Sequence, residues 1–221
     1  MDVVWDGVRC AEQLRQQAAL VRHSLADAAK TGDWAQVFDV LSAHSDLVNV
    51  TRLDGPSLYA PLHQAAHGGA PVAIAQRLID MGAWRTLQNA RGERPVDVAE
   101  RRGHRQLLDI LAPRCKHSVP LGILLRIQGL FHDVIRGRIV REFKLPEQEL
   151  RLPELEPLLE LDLPEMWFPV PGMYGGFRFR IDQTGVNATL ISESWSRVVD
   201  GSGHRHLITS EGTKLVEEGF V

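Results

Sequence analysis

Two cysteines, Cys10 and Cys115, are all that the 221 residues contain, and they lie too far apart in sequence to suggest a disulfide framework. They fit buried small hydrophobes in a reducing compartment. No run approaches the roughly 18 apolar residues of a membrane span, so no membrane partner is expected. The opening MDVVWDGVRC lacks the basic start and apolar stretch of a signal peptide, which predicts a cytoplasmic protein. Lysine is scarce, 4 against 21 arginines, a bias that a GC-rich bacterial coding source explains as well as any demand for bidentate anion contacts. Excess positive charge is missing too. The formal net charge of -3 gives no general attraction to phosphate backbones and disfavours nucleic acid as a partner. What remains, 44% hydrophobic and 24% charged residues, suits a globular protein with a sizeable core.

Internal repetition is present between residues 24 and 112. The segments LADAAKTGD (25–33), LHQAAHGGA (62–70) and VDVAERRGH (96–104) align, with Gly32, Gly69 and Gly103 recurring after 37 and then 34 residues. Each is followed by an apolar stretch of helical character: VFDVLSAHSDLV, VAIAQRLIDMGA and QLLDILA. The middle copy carries Ala60-Pro61-Leu62-His63, Ala65-Ala66, Gly69 and the closing Leu78-Ile79-Asp80-Met81-Gly82-Ala83. The third carries Gly92, Pro95, Ala99, Gly103-His104 and Leu107-Leu108. This pattern resembles the ankyrin repeat, over about two-fifths of the chain. Its parts have physical reasons: proline opens the first helix without losing a hydrogen bond, alanines let paired helices approach, and glycine ends the helix in a left-handed conformation. Departures are also visible. Residues 54–60 lengthen the first inter-repeat loop, the first copy lacks the Pro-Leu-His corner, and Val96-Asp97 stands where the pattern has Leu-His. Roughly three repeats is the lower limit for a stable stack, so other parts of the chain are expected to cover its ends.

The predicted fold class is α+β: a short ankyrin-like helical stack, then a helix, a Leu/Pro-rich strap and a small antiparallel β-meander. The predicted divisions are a capping helix in 1–23, three repeats in 24–113, an amphipathic helix in 114–143, a Leu/Pro/Glu-rich strap in 144–166 and a β domain in 167–221. Val8, Leu14, Ala18 and Val21 recur at helical spacing in the first of these. In 120–143, Leu124, Ile127, Phe131, Val134 and Ile135 are predicted to face inward, and Arg126, Arg136, Arg138 and Arg141 mostly outward. Four prolines, Pro146, Pro153, Pro157 and Pro164, forbid one long helix in the strap, whose leucines are expected to lie against the folded body. Its carboxylates are candidates to pair with the arginine face of the preceding helix. Phe177, Phe179 and Ile181 alternate with Arg178 and Arg180, the mark of a strand with one buried face. Residues 186–192 pair back as a hairpin, two more strands flank Asp200-Gly201-Ser202-Gly203, and the tail from Glu211 reads as a last strand or a short helix.

The functional reading follows from the resemblance. Ankyrin stacks present loop tips and first helices to a protein partner, which here implies Arg52, Asp54 and Tyr59 in the first loop, Arg85, Asn89, Arg91 and Glu93 in the second, and His67, Glu100 and Arg101 on the helices. The leading expectation is therefore a non-enzymatic adaptor or regulatory protein that binds another protein of unknown identity. The rival is an enzyme or small-molecule sensor with a pocket between the aromatic loop and the 195–206 strands. Trp167, Phe168, Met173 and Tyr174 would form its wall, with Arg178, Arg180, Trp195, Arg197, His204 and His206 as polar contacts. Gly175-Gly176 would remove side chains where something packs against backbone. Ser202, near Asp200, His204 and His206, offers the residue types of a nucleophilic triad, but a glycine-rich hairpin turn followed by a strand explains them better. His63 with His67, and Cys115 with His117, have metal-compatible spacing but no third ligand. No cofactor, metal or catalytic residue is expected.

Overall fold

Three glycines in the left-handed region, Gly32, Gly69 and Gly103 with φ of 77°, 67° and 77°, divide residues 9–114 into helix pairs. The structure, a computed structural model, describes residues 3–142, 149–197 and 202–219. The chain is α+β and falls into two units, Arg9–Arg114 and Met1–Val8 with Cys115–Val221.

The first unit contains α1 (Gln16–Thr31), α2 (Trp34–Ala43), α3 (Pro61–Gly68), α4 (Val72–Asp80), α5 (Pro95–Arg102) and the short α6 (Leu108–Leu111). Helix α3 packs against both α1 and α5, while α2, α4 and α6 each back the first helix of their pair. Ala65, Ala66, Ala75 and Ala99 are fully buried between helices, where larger side chains would force them apart, and Leu25, Leu41, Leu62, Leu78, Val98 and Leu107 complete the core. Gly69 is doubly required. Its φ is positive, and a Cβ there would lie 2.6 Å from the His104 ring.

Three helix starts are closed by hydrogen bonds between a side chain and an amide three residues apart. Asp33 accepts from the Gln36 amide at the start of α2. At α3 the Ala60 amide donates to His63 Nδ1 at 3.4 Å, and at α5 the Arg94 amide donates to Asp97 Oδ2 at 2.8 Å. Asp97, at the place in α5 that His63 holds in α3, thus makes the same cap with a different chemistry.

One expected boundary differs. Helix α1 begins at Gln16 and runs through residue 23 without a break, because Ala19, Arg22, Leu25, Ala28 and Ala29 keep one buried face in phase up to Gly32. The residues before it divide between the units. Val3 and Trp5 exchange backbone hydrogen bonds with Trp167, and Trp5, 1% exposed, donates from its indole to the Arg151 carbonyl at 2.9 Å. Its β-branched and aromatic residues suit a strand edge better than a helix.

The second unit carries α7 (Leu121–Arg136), which widens into π-type turns over Gly137–Glu142, and a five-stranded antiparallel meander in order β1–β5. The strands are β1 (Glu165–Val170), β2 (Gly175–Gln183), β3 (Thr189–Ser196), β4 (Ser202–Thr209) and β5 (Gly212–Glu218). Phe131 of α7 meets Phe179 and Phe177 of β2 at centroid distances of 5.0 and 6.5 Å, which seats the helix on the sheet. Arg126 and Arg141 are exposed as predicted, but Arg138 is buried, because the π-type turns rotate the later residues off the α-helical phase. The strap expected over 144–166 is described from residue 149; there Leu150, Leu155, Leu158 and Leu159 are buried as expected, whereas Leu163 is exposed. Glu154 pairs with Arg151 and Asp162 with Lys116.

Asp97→Ala is expected to lower unfolding free energy by about 1 kcal/mol in urea denaturation, with Asp97→His recovering most of it. An unchanged midpoint in the alanine variant would show that this cap contributes nothing.

Candidate functional site

The loops before α3 and α5 are joined by one imidazole. Ala60 donates to His63 Nδ1, so Nε2 carries the proton and donates to the Glu93 carbonyl at 3.2 Å. Both ring nitrogens are therefore engaged with backbone in a fully buried position, and a metal-ligand role with His67 has no free nitrogen on His63. Asn89 fixes the second loop from within: its Oδ1 accepts from the amides of Arg91 and Glu93 at 2.7 and 3.1 Å, and its Nδ2 donates to Glu93 Oε2 at 2.9 Å. At 5% exposure Asn89 shapes the face and does not present itself on it.

From this base a side-chain network rises to the surface. Glu93 receives Arg101 in a bidentate pair, Nε to Oε1 at 2.6 Å and Nη2 to Oε2 at 3.1 Å. Arg101 Nη2 also donates to the Tyr59 hydroxyl at 3.3 Å. The Tyr59 ring stacks on His63 at 5.5 Å and meets the edge of His67 at 5.8 Å. Arg91 and Glu100 stand exposed on the same loop and helix. Five of the residues marked by sequence, Tyr59, His67, Asn89, Glu93 and Arg101, are thus linked in one network. The others are placed differently. Arg52 pairs with Asp27 of α1, Asp54 has φ 57° and bonds the Arg9 carbonyl through its amide, and Arg85 Nε donates to the Ile110 carbonyl of α6 at 3.0 Å.

Two ionisable groups feel the local field. The hydrogen bond from Arg101, and then that from Asn89, holds the Glu93 carboxyl below its usual range. Burial lowers His67, helped by Arg102, Arg101 and His104, which favours a neutral ring. For Glu93 the sign is that of a depressed carboxylate: its stabilisation is present above the unfolded titration range and is lost as pH falls through the folded value.

In the second unit the pleat separates the residues expected to share a pocket. Phe168 and Met173 are fully buried in the core, Phe168 stacked on Phe177 at 6.2 Å. Trp167, Arg178, Arg180 and Trp195 occupy the opposite, outer face. His204 and His206 return to the inner face, opposite Ser194 and Ser192. Tyr174, 77% exposed with φ 51°, sits at the β1–β2 turn, where its carbonyl accepts from exposed Arg197. The ten residues therefore cannot line one pocket.

The glycine pair does serve close packing. Trp167 and Trp195 stack at 4.6 Å and 22° across the position of Gly176, where a Cβ would lie 2.1 Å from the Phe168 carbonyl oxygen and 2.8 Å from the Trp167 ring. A hollow of about 380 Å³ adjoins this pair, lined by Lys116, Glu160, Asp162, Glu165, Trp167 and Arg178 among others. Sequence reading missed it because Lys116 and Asp162 meet the sheet only through the fold. Their charges are already paired, Lys116 with Asp162 at 2.7 Å and Arg178 with Glu165 at 3.6 Å.

The residue types of a triad appear in one cross-strand row, Ser194, His204 and Glu218, with His204 Nε2 3.3 Å from Glu218. Ser194 is 1% exposed and its hydroxyl has no hydrogen-bond partner among the described residues, so this row lacks both substrate access and the nucleophile–base contact. Asp200 and the Ser202 side chain lie outside the described residues. Among the described residues no group of three His, Cys, Asp or Glu side chains could hold a metal, and no helix is long and apolar enough to cross a membrane.

No family model and no curated protein matches the chain. Among solved structures it is similar to a chain in the complex of the Bd0816 predatory endopeptidase from Bdellovibrio bacteriovorus with immunity protein Bd3460. The identity is 19% and the TM-score 0.36, over 58% of this chain and 68% of that chain. Similarity of that degree assigns no role here.

Arg101→Met is expected to move the Glu93 titration upward towards the usual carboxylate range, followed by NMR; an unmoved curve would contradict the pairing. Gly176→Ala is expected to destabilise the second unit by about 2 kcal/mol through overpacking and to disrupt the tryptophan stack, visible in near-UV circular dichroism. A native-like spectrum and melt would refute that close approach.

Proposed function

We propose that residues 9–114 form an ankyrin-like stack that binds another protein without catalysis, through the face centred on Tyr59. The observation that carries this reading is the preorganised frame around that ring. Tyr59 is held by His63, His67 and Arg101, and Arg101 by Glu93, with Arg91 exposed on the same loop as Glu93 and Glu100 beside Arg101 in α5. Tyrosine and arginine are the residue types that dominate protein interfaces, and side chains already fixed in place lose little entropy on association. The mixed signs of Arg91, Glu93, Glu100 and Arg101 suit a partner with complementary charges around an apolar contact. Cys10 is half-buried and Cys115 exposed, not buried as expected; neither forms a disulfide among the described residues, which suits a reducing compartment, and we place the protein in the cytoplasm.

The test compares tagged wild type with Arg91→Glu, Glu100→Arg and Tyr59→Ala in capture from the native host, quantified by mass spectrometry. One stoichiometric protein is expected on the wild type. Retention should fall at least tenfold in the two charge reversals, whose exposed sites leave the fold intact. Equal retention by all three variants would remove this face from the interface.

A further inference from the structure

Strand β5 forms one edge of the meander and, among the described residues, pairs with β4 alone. At the other edge, Val4 bridges β1 in parallel at Trp167. Residues 213–219 are exposed throughout, including Leu215 at 46% and Val216 at 56%. The strand contains no proline, and among the described residues no other segment pairs with its edge.

Its charges indicate what fits there. On the outer face Arg178, Glu193, Arg205 and Glu217 stand in register across β2 to β5 and alternate in sign. Arg205 Nε lies 2.7 Å from Glu193, and the same guanidinium pairs with Glu217. A cation would continue the row beyond β5. Lys214 lies on the same outer face, opposite Leu207, and has no ion pair among the described residues. In a regular strand residues three apart face opposite ways. The register shift between Arg205 and His206 leaves Val216 as an extra residue, and so puts Lys214 and Glu217 on one face.

We infer that β5 pairs antiparallel with β5 of a second copy of this chain, about a two-fold axis between Leu215 and Val216. In that register Lys214 of each copy stands opposite Glu217 of the other, and Leu215 opposite Val216. Thr213 and Glu218, both on the inner face, also oppose each other. The result is a continuous sheet with five strands from each copy. Such an interface is isologous, since every contact occurs twice. It is independent of whatever residues 9–114 bind.

The test is sedimentation equilibrium of the full chain over a concentration series. The wild type is expected to dimerise. Lys214→Glu and Glu217→Lys alone should each weaken association about tenfold, since each puts like charges in both pairs. An equimolar mixture of the two variants should recover the dimer, because each copy then supplies what the other lacks. A wild type that stays monomeric to about 1 mM, a dimer indifferent to Lys214→Glu, or a mixture no tighter than either variant would each overturn the inference. Association of β5 with a strand of another protein would appear as the first of these outcomes.

Discussion

His63 is buried with one ring nitrogen on the amide of Ala60 and the other on the carbonyl of Glu93, and the proposed recognition face depends on those two bonds. The first caps α3. The second fixes the height of the next loop, and with it the carboxylate that holds Arg101. Because the ring is neutral and satisfied on both sides, it joins two backbone segments without placing a charge in the core. The surface consequence is an aromatic ring, Tyr59, stacked on that imidazole and bonded to Arg101. A buried structural histidine thereby sets the geometry of a half-buried surface contact.

The second unit works through a different constraint, the two-residue period of a strand. It directs the phenylalanines of β2 onto α7 and sends the arginines between them to the outer face. Gly176 permits two indoles to meet across it. Where the period is broken by the extra residue in β5, Lys214 and Glu217 come to one side, and the alternating charge row reaches the sheet edge. One irregularity therefore decides whether that edge is self-complementary.

Local chemistry was legible in the sequence wherever one residue type answers one backbone demand. The left-handed glycines, the proline at the start of α3 and α5, the alternation in β2 and the buried strap leucines are of that kind. The candidate face was partly legible: Tyr59, Glu93 and Arg101 meet, whereas Asn89 is spent on its own turn and Arg85 on a helix end. What sequence could not supply was register. The expected aromatic pocket failed because Phe168, Trp167 and His204 alternate between faces that only strand pairing defines. The helical spacing of Val8, Leu14, Ala18 and Val21 holds no sign that Trp5, just before them, bonds a carbonyl 146 residues away. The burial of Arg138 depends on a change of helical pitch that no single residue announces.

The most direct measurement is site-specific photo-crosslinking in the native host, with a photoreactive amino acid at position 91 on the proposed face or at exposed position 76 of α4. The account predicts a discrete protein adduct from position 91 and none from position 76. No adduct at 91, or the same adducts from both positions, would contradict recognition through the Tyr59 face.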